Sequence, residues 1–144
     1  MKKLIAFVLL FVALQSNAQT SVDLGMGFNT DGYSVGEASI AHHYGLWNVL
    51  GGVYFPLNNK EDRETLLHLQ VGRTFDVARD VDIVPAVGYG YSNGEGGKHN
   101  VVISTHAYCY ITGRVHLYGG LLYATNSNYG NMTIGIRYVF KRSK

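Results

Sequence analysis

Residues 131–140 read Asn131-Met132-Thr133-Ile134-Gly135-Ile136-Arg137-Tyr138-Val139-Phe140. Met132, Ile134, Ile136, Tyr138 and Phe140 fall on alternate positions, and Thr133, Gly135 and Arg137 stand between them. Successive side chains of a strand point to opposite faces, so this stretch reads as a strand with one apolar and one polar face. It ends on an aromatic residue, four positions before the C-terminus.

Working back from this strand, the same two-residue period recurs. Residues 20–29 set Val22, Leu24, Met26 and Phe28 against Ser21, Asp23, Gly25 and Gly27. Residues 33–44 alternate less cleanly. Residues 46–57 put Trp47, Val49, Val53 and Phe55 on one side, and residues 65–75 oppose Leu67, Leu69, Val71 and Phe75 to His68, Gln70, Gly72 and Thr74. Residues 81–92, 101–112 and 114–125 continue the pattern, with Asp82, Ser104, His106, Tyr108, His116 and Tyr118 on the polar side. Eight segments of about ten residues result, a length suited to tilted membrane-crossing strands. The connections alternate as well. Those at 30–32, 58–64, 93–100 and 126–130 are polar and mostly long, whereas those at 45, 76–80 and 113 are tight. Short turns at one end and longer loops at the other are the plan of an up-and-down membrane barrel. The expected fold is therefore an all-β, eight-stranded antiparallel up-and-down transmembrane β-barrel, closed because lipid offers no partner to an open sheet edge.

The N-terminus carries a different signal. Lys2 and Lys3 precede an apolar run from Leu4 to Leu14, and Ser16-Asn17-Ala18 supply small residues before Gln19. That is the build of a secretory signal peptide, with an apolar run too short to span a bilayer. The expected division is a signal at residues 1–18 and a barrel domain at 19–144. The whole chain carries 12 basic and 10 acidic residues, for a net charge of +2. Both lysines of the signal are basic and no acid lies there, so the mature chain is formally neutral. No basic patch points to nucleic acid. One cysteine, Cys109, excludes an intramolecular disulfide, and its mid-strand place reads as a small apolar side chain. No run after residue 18 is long and apolar enough for a spanning helix.

A membrane barrel turns its apolar face outward. On that reading the lumen holds Asp23, Glu37, His68, Gln70, Asp82, His106, Tyr108, His116, Tyr118 and Arg137, interleaved with glycine. The charges need partners, with Arg137 expected to meet Asp23 or Glu37. Tyr44, Trp47, Phe75, Tyr138 and Phe140 would form an aromatic girdle near the tight turns, and Phe28, Tyr33, Phe55, Tyr89, Tyr91 and Tyr123 a second near the loops. Arg73 interrupts the apolar face close to a tight turn, from which it could snorkel to the headgroups.

On its strand count, its alternation and its last strand, the whole mature chain resembles the small eight-stranded outer-membrane barrels, the OmpX- and OmpA-like group with porin-like architecture. The resemblance implies Gram-negative outer-membrane residence, contact with outer-membrane lipid, and reading of the Tyr138-Val139-Phe140 end by the barrel-assembly machinery. The tail Lys141-Arg142-Ser143-Lys144 departs from that group, whose usual signal ends on the aromatic itself. The Ser-Asn-Ala boundary followed by Gln is similar to secreted proteins of Bacteroidetes.

Candidate chemistry is sparse. His42 and His43 are adjacent, so they point to opposite faces of a strand. His68, His106 and His116 share the lumen side, and three histidines can hold zinc, but no close ligand pair is visible, so the expectation is no metal and no cofactor. Ser104 and His106 stand two apart, the spacing of an outer-membrane lipid A deacylase in reversed order. They are the weak catalytic candidates, placed by their phase away from lipid. The segment 94–98, Gly-Glu-Gly-Gly-Lys, lacks the spacing and the following helix of a phosphate loop. Three functions stay open: a non-enzymatic barrel with a structural, surface-binding or narrow-pore role; a lipid A-modifying enzyme; and a secreted, soluble lipocalin-like carrier. No surface ligand is named by the sequence.

Overall fold

The computed structural model describes residues 19–58, 64–94, 97–127 and 129–140. The expected signal at residues 1–18 and the tail at 141–144 lie outside the described residues. Nine strands appear in order: β1 (Gln19–Asn29), β2 (Ser34–Tyr44), β3 (Trp47–Pro56), β4 (Leu66–Arg73), β5 (Phe75–Ala78), β6 (Val81–Ser92), β7 (Lys98–Tyr110), β8 (Val115–Ala124) and β9 (Tyr129–Phe140). All pairings are antiparallel, and β1 pairs with β9 from Thr20 opposite Phe140 to Asn29 opposite Asn131. β4 pairs with both β3 and β6, which closes the cylinder.

β4 and β5 are two halves of one stave, separated only at Thr74. Gly72 faces Ala86 and Phe75 faces Ile83, so the register runs through the break. The wall is therefore an eight-stave, up-and-down barrel. Here the structure corrects the sequence reading, which placed a turn at 76–80. The strand instead runs on to Ala78, a register shift falls between Asp76 and Ala78, and only residues 79–80 turn. The hydrogen bonds that hold the break come from the β2–β3 turn and the start of β3. Asn48 Nδ2 donates to Thr74 Oγ1 at 2.7 Å, and the Thr74 amide donates to the Leu46 carbonyl at 2.7 Å. The β2–β3 turn is tight, with Tyr44 opposite Trp47 and Gly45 at φ +59°, a left-handed conformation that glycine adopts without a Cβ penalty.

The alternation along each stave sorts side chains between two environments. Ile134 is 68% exposed and Leu69 59%, whereas Arg137 is 4% and Gln70 1% exposed. The apolar face is thus the outer one and the polar face lines the lumen, the reverse of a water-soluble barrel. Trp47, Phe75, Tyr138 and Phe140 are exposed on the outer face near the tight turns, and Tyr44 is half-buried beside them. Phe28, Phe55, Tyr89, Tyr91 and Tyr123 are exposed near the loops. Tyr33 departs from the expected girdle: it packs against a cluster inside the barrel.

The lumen is filled in layers. At the loop end, Tyr54, Leu66, Val102, Leu122, Ala124 and Tyr129 form a dry plug. Glycines make room for rings deeper in. The Tyr118 ring lies over Gly25 and Gly135, and the His106 ring over Gly120, where a Cβ at any of the three would collide with the ring. An eight-stave barrel has an interior just wide enough for side chains to fill, which is what these contacts do.

Candidate functional site

The polar layer beneath the plug is the candidate site. It is built across the β1–β9 seam. Asp23 and Arg137 are direct register partners on those strands. Arg137 donates from Nε to Asp23 Oδ1 at 2.6 Å and from Nη2 to Asp23 Oδ2 at 2.7 Å, a two-pronged, charge-assisted pair. The same Nη2 donates to the Tyr108 hydroxyl at 2.6 Å, and the guanidinium carbon stands 3.6 Å from the centre of the Tyr108 ring. That stacking adds a cation–π attraction to the ion pair. The Tyr108 hydroxyl in turn donates to Asp23 Oδ2 at 3.3 Å.

Glu37 anchors a second knot. It lies opposite Tyr54 in the β2–β3 register and is 2% exposed. Its Oε2 accepts from the Tyr118 hydroxyl at 2.9 Å and the Thr133 hydroxyl at 2.7 Å. His106 Nε2 stands 3.7 Å from Glu37 Oε1, beyond hydrogen-bond reach, and neither ring nitrogen of His106 has a hydrogen-bond partner among the described residues. A third knot joins Gln70 to His68, with Nε2 and Nδ1 2.9 Å apart, and to Ser104, whose hydroxyl donates to Gln70 Oε1 at 2.6 Å.

Asp82 and His116 lie beside the first knot, at the terminal end, opposite Tyr108 and Arg137 in the strand register. Asp82 is half-buried and accepts from the Tyr110 hydroxyl, and His116 meets the Tyr110 ring edge-on at 4.2 Å between centroids. They line a cavity of about 220 Å³ with Gln19, His43, Thr74 and Arg137. His42 and His43 diverge, His42 to Thr20 and His43 to Ser21, each at 3.0 Å.

His68, His106 and His116 each sit in a separate aromatic pairing, with Tyr54, with Tyr108 and Tyr118, and with Tyr110. Among the described residues no three His, Cys, Asp or Glu side chains gather as metal ligands. Ser104 gives its proton to Gln70, and both Ser104 and His106 are buried in the lumen. A hydroxyl committed to an amide oxygen is not the nucleophile–base pair that acyl transfer requires.

Thr133 and the apolar plug were invisible to sequence reasoning. Thr133 sits in β9, the most regular strand of the chain, but nothing in a two-residue period says it will face Glu37. The loops tell a similar story. Asn29 Oδ1 accepts from the amides of Asp31 and Tyr33, and Asn93 Oδ1 from the amide of Thr65. Asn100 Oδ1 accepts from the amides of Asn126 and Ser127, and Asn126 Nδ2 donates to the His99 carbonyl. Asn29 braces its own turn, whereas Asn93, Asn100 and Asn126 tie neighbouring loops to one another.

No protein-family model matches the chain, and no curated protein matches it. Solved structures do. A de novo designed transmembrane β-barrel is similar with a TM-score of 0.70 at 16% identity, over 85% of this chain and 95% of that one. The attachment invasion locus protein Ail of Yersinia pestis is similar with a TM-score of 0.60 at 14% identity, over 85% and 97%. A major outer membrane protein of Thermus thermophilus gives a TM-score of 0.60 at 14% identity, over 85% and 99%. At these identities the likeness is one of fold: a closed, eight-stranded antiparallel barrel of the transmembrane kind.

Proposed function

We propose that this chain is an integral outer-membrane barrel with a structural, non-conducting, non-enzymatic role. One observation carries the reading: an apolar outer wall surrounds a lumen filled by side chains, with the Asp23–Arg137 ion pair buried in it and an apolar cluster at the loop end. The wall needs hydrocarbon around it, because large exposed apolar patches are unstable in water. Tyr54, Leu66 and Tyr129 pack together inside the barrel at the loop end, which supports a non-conducting role. The packed interior favours the structural role over the narrow pore. On this reading the loop end faces outward, the tight turns face the periplasm, and the assembly machinery reads the Tyr138–Phe140 end. The OmpX- and OmpA-like assignment and a Bacteroidetes source belong to the same proposal, resting on the final strand and on the Ser16–Gln19 boundary.

The test is fractionation. The mature protein should stay in the outer-membrane pellet after an alkaline carbonate wash and shift its gel mobility on heating. Release into the periplasm or medium without detergent would favour the lipocalin-like alternative and overturn the reading. Lipid A should have the same mass profile with the wild type and with Ser104→Ala; a change would revive the enzyme.

A further inference from the structure

We propose that Arg73, held against Trp47 and Phe75, is a binding site for the phosphate of a membrane phospholipid. The inference rests on the membrane reading above and adds a ligand to it. Among the described residues Arg73 is the only lysine or arginine at an outward position of a strand. It lies directly opposite Trp47 in the β3–β4 register, beside the tight β2–β3 turn. Its guanidinium carbon stands 5.3 Å from the centre of the Phe75 ring and 6.0 Å from that of Trp47, and both rings are exposed on the outer wall. The charge is thus lifted onto an aromatic shelf at the edge of the apolar band.

No described carboxylate answers it. The only arginine ion pair among the described residues belongs to Arg137. Asp76, three residues along, lies opposite Asp82 in the β5–β6 register, on the lumen-facing phase, and Asp82 accepts from Tyr110. A guanidinium presents parallel N–H donors in its own plane that match phosphate oxygens, and a contact with an aromatic ring does not use up those donors. At the level of an aromatic girdle the anion that a bilayer supplies is the lipid phosphate. Next to the shelf, the Thr74 amide donates to the Leu46 carbonyl at 2.7 Å and the Asn48 side chain donates to Thr74 Oγ1 at 2.7 Å, which ties β3 to the stave that carries Arg73 and Phe75.

The experiment uses the mature chain folded into phosphatidylglycerol vesicles, extracted in a non-ionic detergent and weighed by native mass spectrometry. Wild type should retain a phospholipid adduct. Arg73→Gln should retain about tenfold less, the factor that one lost charge-assisted hydrogen bond of about 1.4 kcal/mol gives. Trp47→Leu, which keeps the charge and removes half the shelf, should fall between, and provides a second reading should Arg73→Gln fail to fold. Arg79→Gln, in the turn beyond the shelf, should match wild type. Vesicles of a diglycosyl diacylglycerol, which lacks phosphate, should leave no adduct. Equal retention by Arg73→Gln and wild type overturns the site, as does an equal loss in Arg79→Gln. A wild type that never enters the vesicles overturns the membrane reading itself, whereas one that enters and keeps no lipid overturns only this inference.

Discussion

Arg137 has its charge neutralised within its own seam, by Asp23, and its face covered by Tyr108. Removing one partner of such a pair leaves the other charge buried and unanswered. Arg137→Met should therefore destabilise the barrel by about 3–5 kcal/mol in urea unfolding within vesicles. The double variant Asp23→Leu with Arg137→Met should lose much less than the two single changes together, since apolar groups of similar volume can replace a buried pair. Simple additivity would show that the pair is not coupled. Gly135 and Gly119 offer a second contrast at this scale. A Cβ at Gly135 would meet the Leu24 carbonyl and the Tyr118 ring, whereas at Gly119 the nearest atom is the Thr133 carbonyl oxygen at 4.0 Å. Gly135→Val should cost at least the ~1–3 kcal/mol of overpacking, and Gly119→Val almost nothing, by the same measurement.

Each strand tells the sequence reader which residues share a face, and little else. The outer face of β9 was legible from Met132 to Phe140 because every second residue is large and apolar. The orientation of the sheet was less legible, because a soluble barrel with the same alternation would turn Asp23, His106 and Arg137 to water; the aromatic residues near the strand ends and the short-turn, long-loop plan tipped the reading. The break at Thr74 was not legible. Its cause is the grip of Asn48, 26 residues away, and Asp76 reads as a turn former until its register with Asp82 is seen. The plug was hidden for a related reason. Tyr54, Leu66 and Leu122 stand at inward positions that the polar pattern leaves blank, and apolar residues there read as noise. Period-two logic fixes a side, and not the depth or the neighbour across the lumen. Tyr118 meets Glu37 across 81 residues of chain. One prediction belongs to the strands themselves. Ile134→Arg, at mid-stave on the outer wall, should destabilise the folded protein in vesicles by about 2–4 kcal/mol, and Phe140→Arg, at the girdle, by about 0–1. Equal effects would argue that no bilayer depth gradient acts on β9.

The molecule as a whole is asymmetric along its axis. A polar cavity lies at the terminal end, three polar knots follow, and the apolar cluster fills the interior at the loop end. In a planar bilayer the wild type should therefore carry no ion current. Replacing Tyr54 and Tyr129 together by alanine should open a measurable leak, because the two rings supply much of the seal between the staves. A wild type that conducts would contradict the packed lumen directly. The layered interior also bears on how closure can happen. β9 is the last stave of the chain and must zip against the first, and the facing residues there carry opposite charges. Were β9 to arrive one position out of phase, its guanidinium would swing into hydrocarbon while Asp23 kept its place inside without a counter-ion. The seam thus proofreads its own alignment: a slip by a single position strands a charge that the true pairing neutralises.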